Sequence, residues 1–443
     1  MDTPVVDFVE RYVAERGVRL HMPGHKGKGP LGCEAFDITE IKGADALYEA
    51  EGIIARSEEN AAALFGTGGT FYSTEGSSQC IRAMLYLALT CRKEGAAPVI
   101  VAARNVHKAF VYAAALLDFE VVWLWPKENT SLCACPVTPE HLDRTLKSLS
   151  VPPAAVYVTS PDYLGNIQDI RSLAEVAHRH GTILAVDNAH GAYLHFLDTP
   201  CHPMDLGADL CCDSAHKTLP VLTGGAYLHI HKAAPASFCA NAKEALALFG
   251  STSPSYLTLL SLDSCNRYLA EEYTARLRET KAELTVLREK LKDLGWKTLD
   301  SDPLRITLAT TKQQTGTALA EQLRRKGIEC EFADPDFLVL MATPENSKRD
   351  FAYLLEALGR NFAPVGERPG LPLAKGERVC SIREALFAPH VTVPVEESLG
   401  SICAAPTVSC PPAIPIVISG ERVTEEAVEM FCYYGVKSAD VLK

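Results

Sequence analysis

The strongest chemical signal in the chain is Ser214-Ala215-His216-Lys217, set directly after the apolar run Leu210-Cys211-Cys212. A lysine at the end of a buried strand, with a hydroxyl and an imidazole beside it, suits a Schiff-base nucleophile. Partial desolvation and neighbouring cationic groups lower its pKa, so that a neutral amine is available to attack an aldehyde. Thr223-Gly224-Gly225 then gives a tight turn into a short strand, Ala226–Ile230. Taken alone, Lys217 reads as one of many surface lysines.

Thirty positions earlier, Val186-Asp187-Asn188-Ala189-His190 sets a carboxylate at the end of another apolar run. An aspartate after a strand is ordinarily a cap or turn former. Combined with a strand-end lysine it fits pyridoxal phosphate (PLP), because an acid against the pyridine nitrogen keeps the ring protonated and able to take up electrons. A phosphate seat is offered by Thr74-Glu75-Gly76-Ser77-Ser78-Gln79, just before the helix-like run Ile81–Leu87. Small residues, hydroxyls and free backbone N–H groups at a helix start bind anions, although a simply capped helix has the same composition. Arg104-Asn105-Val106-His107-Lys108 also follows a strand. His107 reads either as a residue over the cofactor ring or as a structural histidine.

Between about 97 and 230, short apolar runs alternate with amphipathic stretches. Runs at 99–102, 121–124, 155–158, 183–186 and 210–212 read as strands, with helices over 106–117 and 169–179. Continuous apolar runs joined by helices mark a mostly parallel sheet covered on both faces, whose ligands sit at the C-terminal strand ends. Charges at helical spacing over 263–294 predict a long helix, broken at most once. Strand and helix alternate again over about 303–360, giving a smaller α/β unit, and the Pro/Gly-rich stretch 364–372 reads as a linker.

At 443 residues the chain is long enough for two or three domains. With 47% hydrophobic and 22% charged residues it has the composition of a globular enzyme. The net charge of −12 and the lack of a basic run argue against a nucleic-acid surface. No signal peptide or membrane-length apolar window is visible, so a cytoplasmic location is expected. The 15 cysteines, an odd number, read as reduced, buried small hydrophobes. Cys133 and Cys135 do not form a paired zinc motif, and no metal is expected.

The motif set as a whole resembles the ornithine/lysine/arginine decarboxylases, fold-type-I PLP enzymes, in the short form without an N-terminal wing domain. The resemblance runs nearly end to end. It includes His21-Met22-Pro23-Gly24-His25-Lys26-Gly27, Asp37-Ile38-Thr39-Glu40, Glu51-Gly52-Ile53-Ile54, Arg104 to Lys108 and Thr159 to Gly165. It continues through Asp187 to Gly191, Ser214 to Pro220, Ser253-Pro254-Ser255-Tyr256, Pro411 to Pro415 and Gly420-Glu421-Arg422. The resemblance implies PLP-dependent decarboxylation of a basic amino acid (arginine, lysine or ornithine), with Lys217 bonded to the cofactor and Asp187 on its ring nitrogen. His107 would stack on the ring with the His190 segment alongside, and Ser77, Ser78, Ser214 and His216 would hold the phosphate. Ser251 or Thr252 would reach the phosphate of a second subunit, implying a homodimer or a larger assembly built from dimers. Glu421 would meet the substrate's distal cation. Lys217, His107 and His216 are the catalytic candidates, any of which could return a proton to Cα.

Arg305, at the start of a small-domain strand, is a candidate partner for the substrate carboxylate, with an exposed strand arginine as the plain alternative. The fold expected is α/β: a fold-type-I large domain with a mostly parallel sheet, a small α/β domain and a C-terminal decarboxylase-type segment. The expected division is 1–60 as an N-terminal segment on the large domain and dimer partner, 61–265 as the PLP-binding domain, 266–363 as the small domain and 370–443 as the C-terminal domain. Three positions depart from the family's usual pattern: Glu75, where asparagine is common; Asn188, where a second acid often stands; and Ser419, in place of a proline. They leave the substrate open. The alternatives are another fold-type-I activity, an aminotransferase or a lyase such as a cysteine desulfurase, or a silent PLP-binding protein. A desulfurase needs a mobile cysteine, and Cys330 reads instead as a strand residue.

Overall fold

The computed structural model describes every residue except 128–129, 301, 312, 362–372 and 407–411. The expected linker 364–372, with Cys410 and Pro411, lies outside the described residues. Seven strands, β1 (Gly69–Ser73), β2 (Ala97–Ala103), β3 (Glu120–Leu124), β4 (Pro153–Thr159), β5 (Ile183–Asp187), β6 (Leu210–Asp213) and β7 (Ala226–Ile230), form one sheet. Their order is β1-β7-β6-β5-β4-β2-β3. Strands β2 and β3 run parallel, as do β5 and β6, whereas β7 is antiparallel to both its neighbours. Every residue of β6 and β7 is buried, which is why neither strand alternates apolar with solvent-facing polar residues. This is the sheet expected from the sequence.

The chain divides into two compact units. One comprises Met1–Ala97, Ala154–Val156 and Ile170–Leu277; the other comprises Pro98–Pro153, Tyr157–Asp169 and Arg278–Lys443. In the first, helix α3 (Ser77–Thr90) packs on β1 and β5–β7, α2 (Ile53–Phe65) on β1, and α1 (Pro4–Ala14) on α2. The expected long helix begins earlier than 263. It runs Tyr256–Tyr268, passes through the π-turn Leu269–Tyr273, and continues as Thr274–Asp293. The second unit contains α4 (Lys108–Leu117) and an antiparallel sheet of β8 (Lys297–Thr298), β9 (Arg305–Ala309), β10 (Phe332–Ala333) and β11 (Phe337–Met341). Its order is β10-β11-β9-β8, with helices Gly316–Arg324 and Lys348–Leu358. Cys330 lies in the loop before β10, not in a strand, because the preceding helix ends at Arg324 and pairing resumes only at Phe332. A last antiparallel sheet joins β12 (His390–Pro394), β13 (Cys403–Ala405) and β14 (Ser438–Leu442) in the order β12-β14-β13. Val395, Ile416, Val417, Val423, Met430 and Phe431 form a core of its own in this segment.

The fourteen cysteines among the described residues are all free, but only seven are buried and Cys432 is exposed. The expectation that they are buried hydrophobes therefore holds for half of them. Among the described residues no helix is long and apolar enough to cross a membrane.

In the first unit the N-terminal helix is tied down by a buried carboxylate. Asp263 accepts the Val5 and Val6 N–H groups at 2.9 and 3.0 Å, and also the Ser57 hydroxyl. It thereby caps the exposed donors of α1's first turn from another helix. Burial pushes its carboxyl up to about 6, against the opposing pull of Ser57, Val6 and Val5. A folded pKa above the unfolded one means that its contribution is full below about pH 4 and is lost as the pH rises through about 6. Asp263→Asn should therefore flatten the stability profile. From pH 4 to 6.5 the wild type should lose on the order of 2–3 kcal/mol relative to the variant in urea unfolding. Parallel profiles would show that Asp263 is ionised throughout.

Candidate active site

The C-terminal ends of β5 and β6 place the two key residues. Cys212 is the register partner of Asp187, and the Asn188 N–H donates to the Cys212 carbonyl at 3.0 Å. Parallel pairing thus delivers Asp187 and the Ser214–Lys217 segment to the same edge of the sheet. Asp187 is only 3% exposed. Its Oδ1 accepts the Ala189 N–H at 3.2 Å and faces the Cys212 thiol at 3.7 Å. Lys217, on the one-turn helix Ala215–Thr218, is half-buried, and its Nζ stands 2.7 Å from His190 Nε2. The sequence pointed to both segments, and the fold brings Lys217 into contact with His190.

The third part is the start of α3. Gly76 has φ +71°, and an added Cβ there would meet nothing, so the backbone conformation and not space calls for glycine. No side chain caps this helix. Ser77 and Ser78 are its first residues, and the Ser214 hydroxyl donates to Ser77 Oγ at 2.8 Å. The Gly224-Gly225 turn closes against it: Gly76 N–H donates to the Gly224 carbonyl at 2.7 Å, and a Cβ on Gly224 would lie 2.6 Å from the Thr74 carbonyl oxygen. His216 is held by Gly225, whose carbonyl oxygen lies 3.2 Å from its backbone N and 3.0 Å from its Nδ1. An uncapped helix start bearing two hydroxyls, a lysine on an imidazole and a buried carboxylate are therefore gathered in one unit. Such a set fits PLP: the helix start suits a phosphate, the lysine an aldehyde and the carboxylate a pyridinium.

Thr252 and Ser251 lie in this unit too, exposed on the loop between helices Ala236–Ala247 and Tyr256–Tyr268, where Ser251 Oγ accepts the Ser253 N–H at 3.1 Å.

His107, Arg305 and Glu421 belong to the second unit. His107 caps α4, its Nδ1 accepting the Ala109 N–H at 3.1 Å. Arg305 is 1% exposed, so it is not an exposed strand arginine. Its guanidinium donates to the Asp162 carbonyl and lies 3.1 Å from Asp302, which holds it buried inside the second unit. Glu421 is buried as well, 3.7 Å from Arg104, and accepts the Ile418 N–H at 2.9 Å. Burial raises its carboxyl, with Arg104 and the Ile418 N–H opposing. Arg104 donates to the Pro415 and Ile416 carbonyls at 2.8 and 2.9 Å and lies over the rings of Trp123 and Trp125. This clamp joins residues more than three hundred positions apart, and no local spacing in the sequence signals it.

The family model described as "Orn/Lys/Arg decarboxylase, major domain" matches residues 3–299. Arginine decarboxylase of Bacillus subtilis (strain 168) is 28% identical over 466 residues, covering 96% of this chain and 92% of that protein. The arginine decarboxylase of Halalkalibacterium halodurans is 28% identical, covering 96% and 91%. Among solved structures, the lysine decarboxylase of Francisella novicida superposes with a TM-score of 0.80 at 16% identity, over 100% of this chain and 81% of that one. Sphingomonas wittichii serine palmitoyltransferase superposes with a TM-score of 0.57 at 17% identity, over 81% and 82%. The fold and the strand-end site define a fold-type-I PLP enzyme. The chain belongs to the Orn/Lys/Arg decarboxylase family and is a PLP-dependent amino-acid decarboxylase.

Truncating Arg104 would leave Glu421 buried without its cation and strand two carbonyls. Arg104→Ala should cost about 3–5 kcal/mol in chemical denaturation. A loss under about 1 kcal/mol would mean that Glu421 is protonated and needs no partner.

Proposed function

We propose that the chain decarboxylates a basic amino acid, arginine first among arginine, lysine and ornithine, to the corresponding amine and carbon dioxide. Family membership supports the class, and the relatives named arginine decarboxylase favour arginine. The observation that carries the site assignment is the Lys217–His190 contact beside the strand-end carboxylate of Asp187. Bound PLP supplies the sink for the electrons left at Cα when carbon dioxide departs.

The chain's own groups do the rest. His190 Nε2 can accept a proton from Lys217 Nζ across 2.7 Å, leaving a neutral amine that would hold the cofactor through its aldehyde. Asp187, fixed by Ala189 and Cys212, would hold the proton on the ring nitrogen. The start of α3 with Ser77, Ser78, Ser214 and His216 binds the phosphate through backbone N–H groups and hydroxyls. By the family resemblance His107 would stack on the ring, and Thr252, on its exposed loop, would reach the phosphate of a partner subunit in a homodimer. The proton that replaces carbon dioxide at Cα comes from Lys217, His216 or His107. Glu421, with its raised pKa and its Arg104 neighbour, faces a distal cation only if that clamp opens. The setting is cytoplasmic, where free thiols persist, and the amine product feeds polyamine synthesis. Division into residues 1–60, 61–265, 266–363 and 370–443 goes with this reading.

A desulfurase-type alternative is disfavoured, because burial pushes the Cys330 thiol up to about 11, the opposite of what a thiolate nucleophile needs.

Incubating the PLP-loaded protein with each of the three amino acids should yield agmatine, cadaverine or putrescine by mass spectrometry; if none forms, the substrate class is wrong. Lys217→Ala should abolish both activity and the visible absorbance of lysine-bound cofactor, and persistence of that band would remove Lys217 from its role. Ser214→Ala should weaken PLP binding by roughly ten- to a hundredfold, the worth of one hydrogen bond to a charged group. An unchanged Kd would place the phosphate elsewhere.

A further inference from the structure

Where β5 and β6 end, a second cluster is fully buried. Asn188 Nδ2 donates to Asp213 Oδ1 at 2.6 Å, and the Cys211 thiol lies 3.6 Å from the same oxygen. Asp213 Oδ2 receives His202 Nε2 at 2.9 Å and His229 Nε2 at 3.1 Å. Asn188, His202, Cys211, Asp213 and His229 are each 0% exposed, and the Phe65 ring packs on both imidazoles.

Ligand atoms of His202, Cys211 and Asp213 lie within 4.8 Å of one another, a spacing a metal ion would accept. The hydrogen bonds favour another reading. His202 Nδ1 accepts the Met204 N–H at 3.2 Å, so its own proton sits on Nε2, aimed at Asp213. Asp213 can only accept from His229 Nε2, which leaves His229 Nδ1 to accept from the Thr70 hydroxyl 2.8 Å away. The cluster is thus a carboxylate with four donors rather than a set of bare ligand atoms. Burial works against its charge, but His202 and His229 outweigh that and hold Asp213 well below the usual carboxylate range. The other titratable groups facing it are Cys80 from α3, Cys211 and Cys212 on β6, and Tyr227 and His229 on β7. Burial pushes the thiols and the phenol up and His229 down, so all of these stay neutral. Asp187 is the other carboxylate here.

Asp213 reaches both halves of the site. Its amide partner Asn188 directly follows Asp187, and it directly precedes Ser214, four residues before Lys217. We infer that Asp213 is a positioning residue for Asp187: it fixes the end of β5 through Asn188, and its buried charge strengthens the hold on a proton at the cofactor's pyridine nitrogen. This rests on the proposed pairing of Asp187 with that nitrogen.

The test uses holoenzyme reconstituted with PLP labelled with 15N in the ring. The wild type should show a protonated ring nitrogen that Asp187→Ala deprotonates. Asp213→Asn should move the resonance toward neutral pyridine and lower the pH at which the proton is lost by about one unit or more. Asn188→Ala, which keeps the Asp213 charge, should shift it less and in the same direction. It decides the matter if Asp213→Asn does not fold. Wild-type ring titrations in the variants, even with lower melting temperatures, would reduce Asp213 to a structural role and overturn the inference. If the wild-type nitrogen is unprotonated, or Asp187→Ala leaves it protonated, the pairing of Asp187 fails and the inference falls with it.

Discussion

Asp187 and the Lys217 segment stand at one edge of the sheet only because β5 and β6 pair in parallel with Asp187 opposite Cys212. Side chains alternate across a strand, so a slip of one residue would send Asp187 to the other face of the sheet. The register is held where it matters: the Asn188 N–H reaches the Cys212 carbonyl just past the last strand residue, and Asp209 N–H reaches the Leu184 carbonyl at the other end. Both strands are almost wholly buried, so a slip would also place charged groups in the apolar layers.

Crowding chemistry at a strand edge requires buried polar groups, and the buried carboxylates Asp263, Asp213 and Glu58 each have several partners. Asp263 takes two backbone donors and a hydroxyl, Asp213 takes two imidazoles and an amide, and Glu58 takes Lys243 and the Tyr72 N–H. These networks contribute little net energy compared with apolar burial. Their weight lies in what an unsatisfied group would cost, which makes them specify one arrangement of strand ends over its neighbours. The Arg104 clamp works in the same way in the second unit, where one guanidinium fastens two carbonyls and a carboxylate of the C-terminal segment.

Much of this was legible in the sequence. Continuous apolar runs fixed the parallel strands, because burial on both faces leaves no room for alternation. Local grammar, glycine and hydroxyls before a helix and a lysine after a strand, marked the start of α3 and Lys217. The same means missed Asp213, although it sits beside Ser214, since an aspartate at a strand end has no local pattern that distinguishes a buried anion from a turn former. They also left Arg305 and Glu421 ambiguous.

The sequence by itself thus determined the element types, the sheet class and the candidate reactive side chains, all of which depend on short-range periodicity and residue chemistry. Only the tertiary structure decided which of those side chains meet. Lys217 against His190, Asp213 between His202, His229 and Asn188, and Glu421 against Arg104 are contacts between residues from 11 to 317 positions apart. Burial and charge pairing at such separations depend on strand order and register, quantities that no window of neighbouring residues contains. Lys217 is the plainest case: its type and place were readable, and the imidazole that can take its proton was given by the fold.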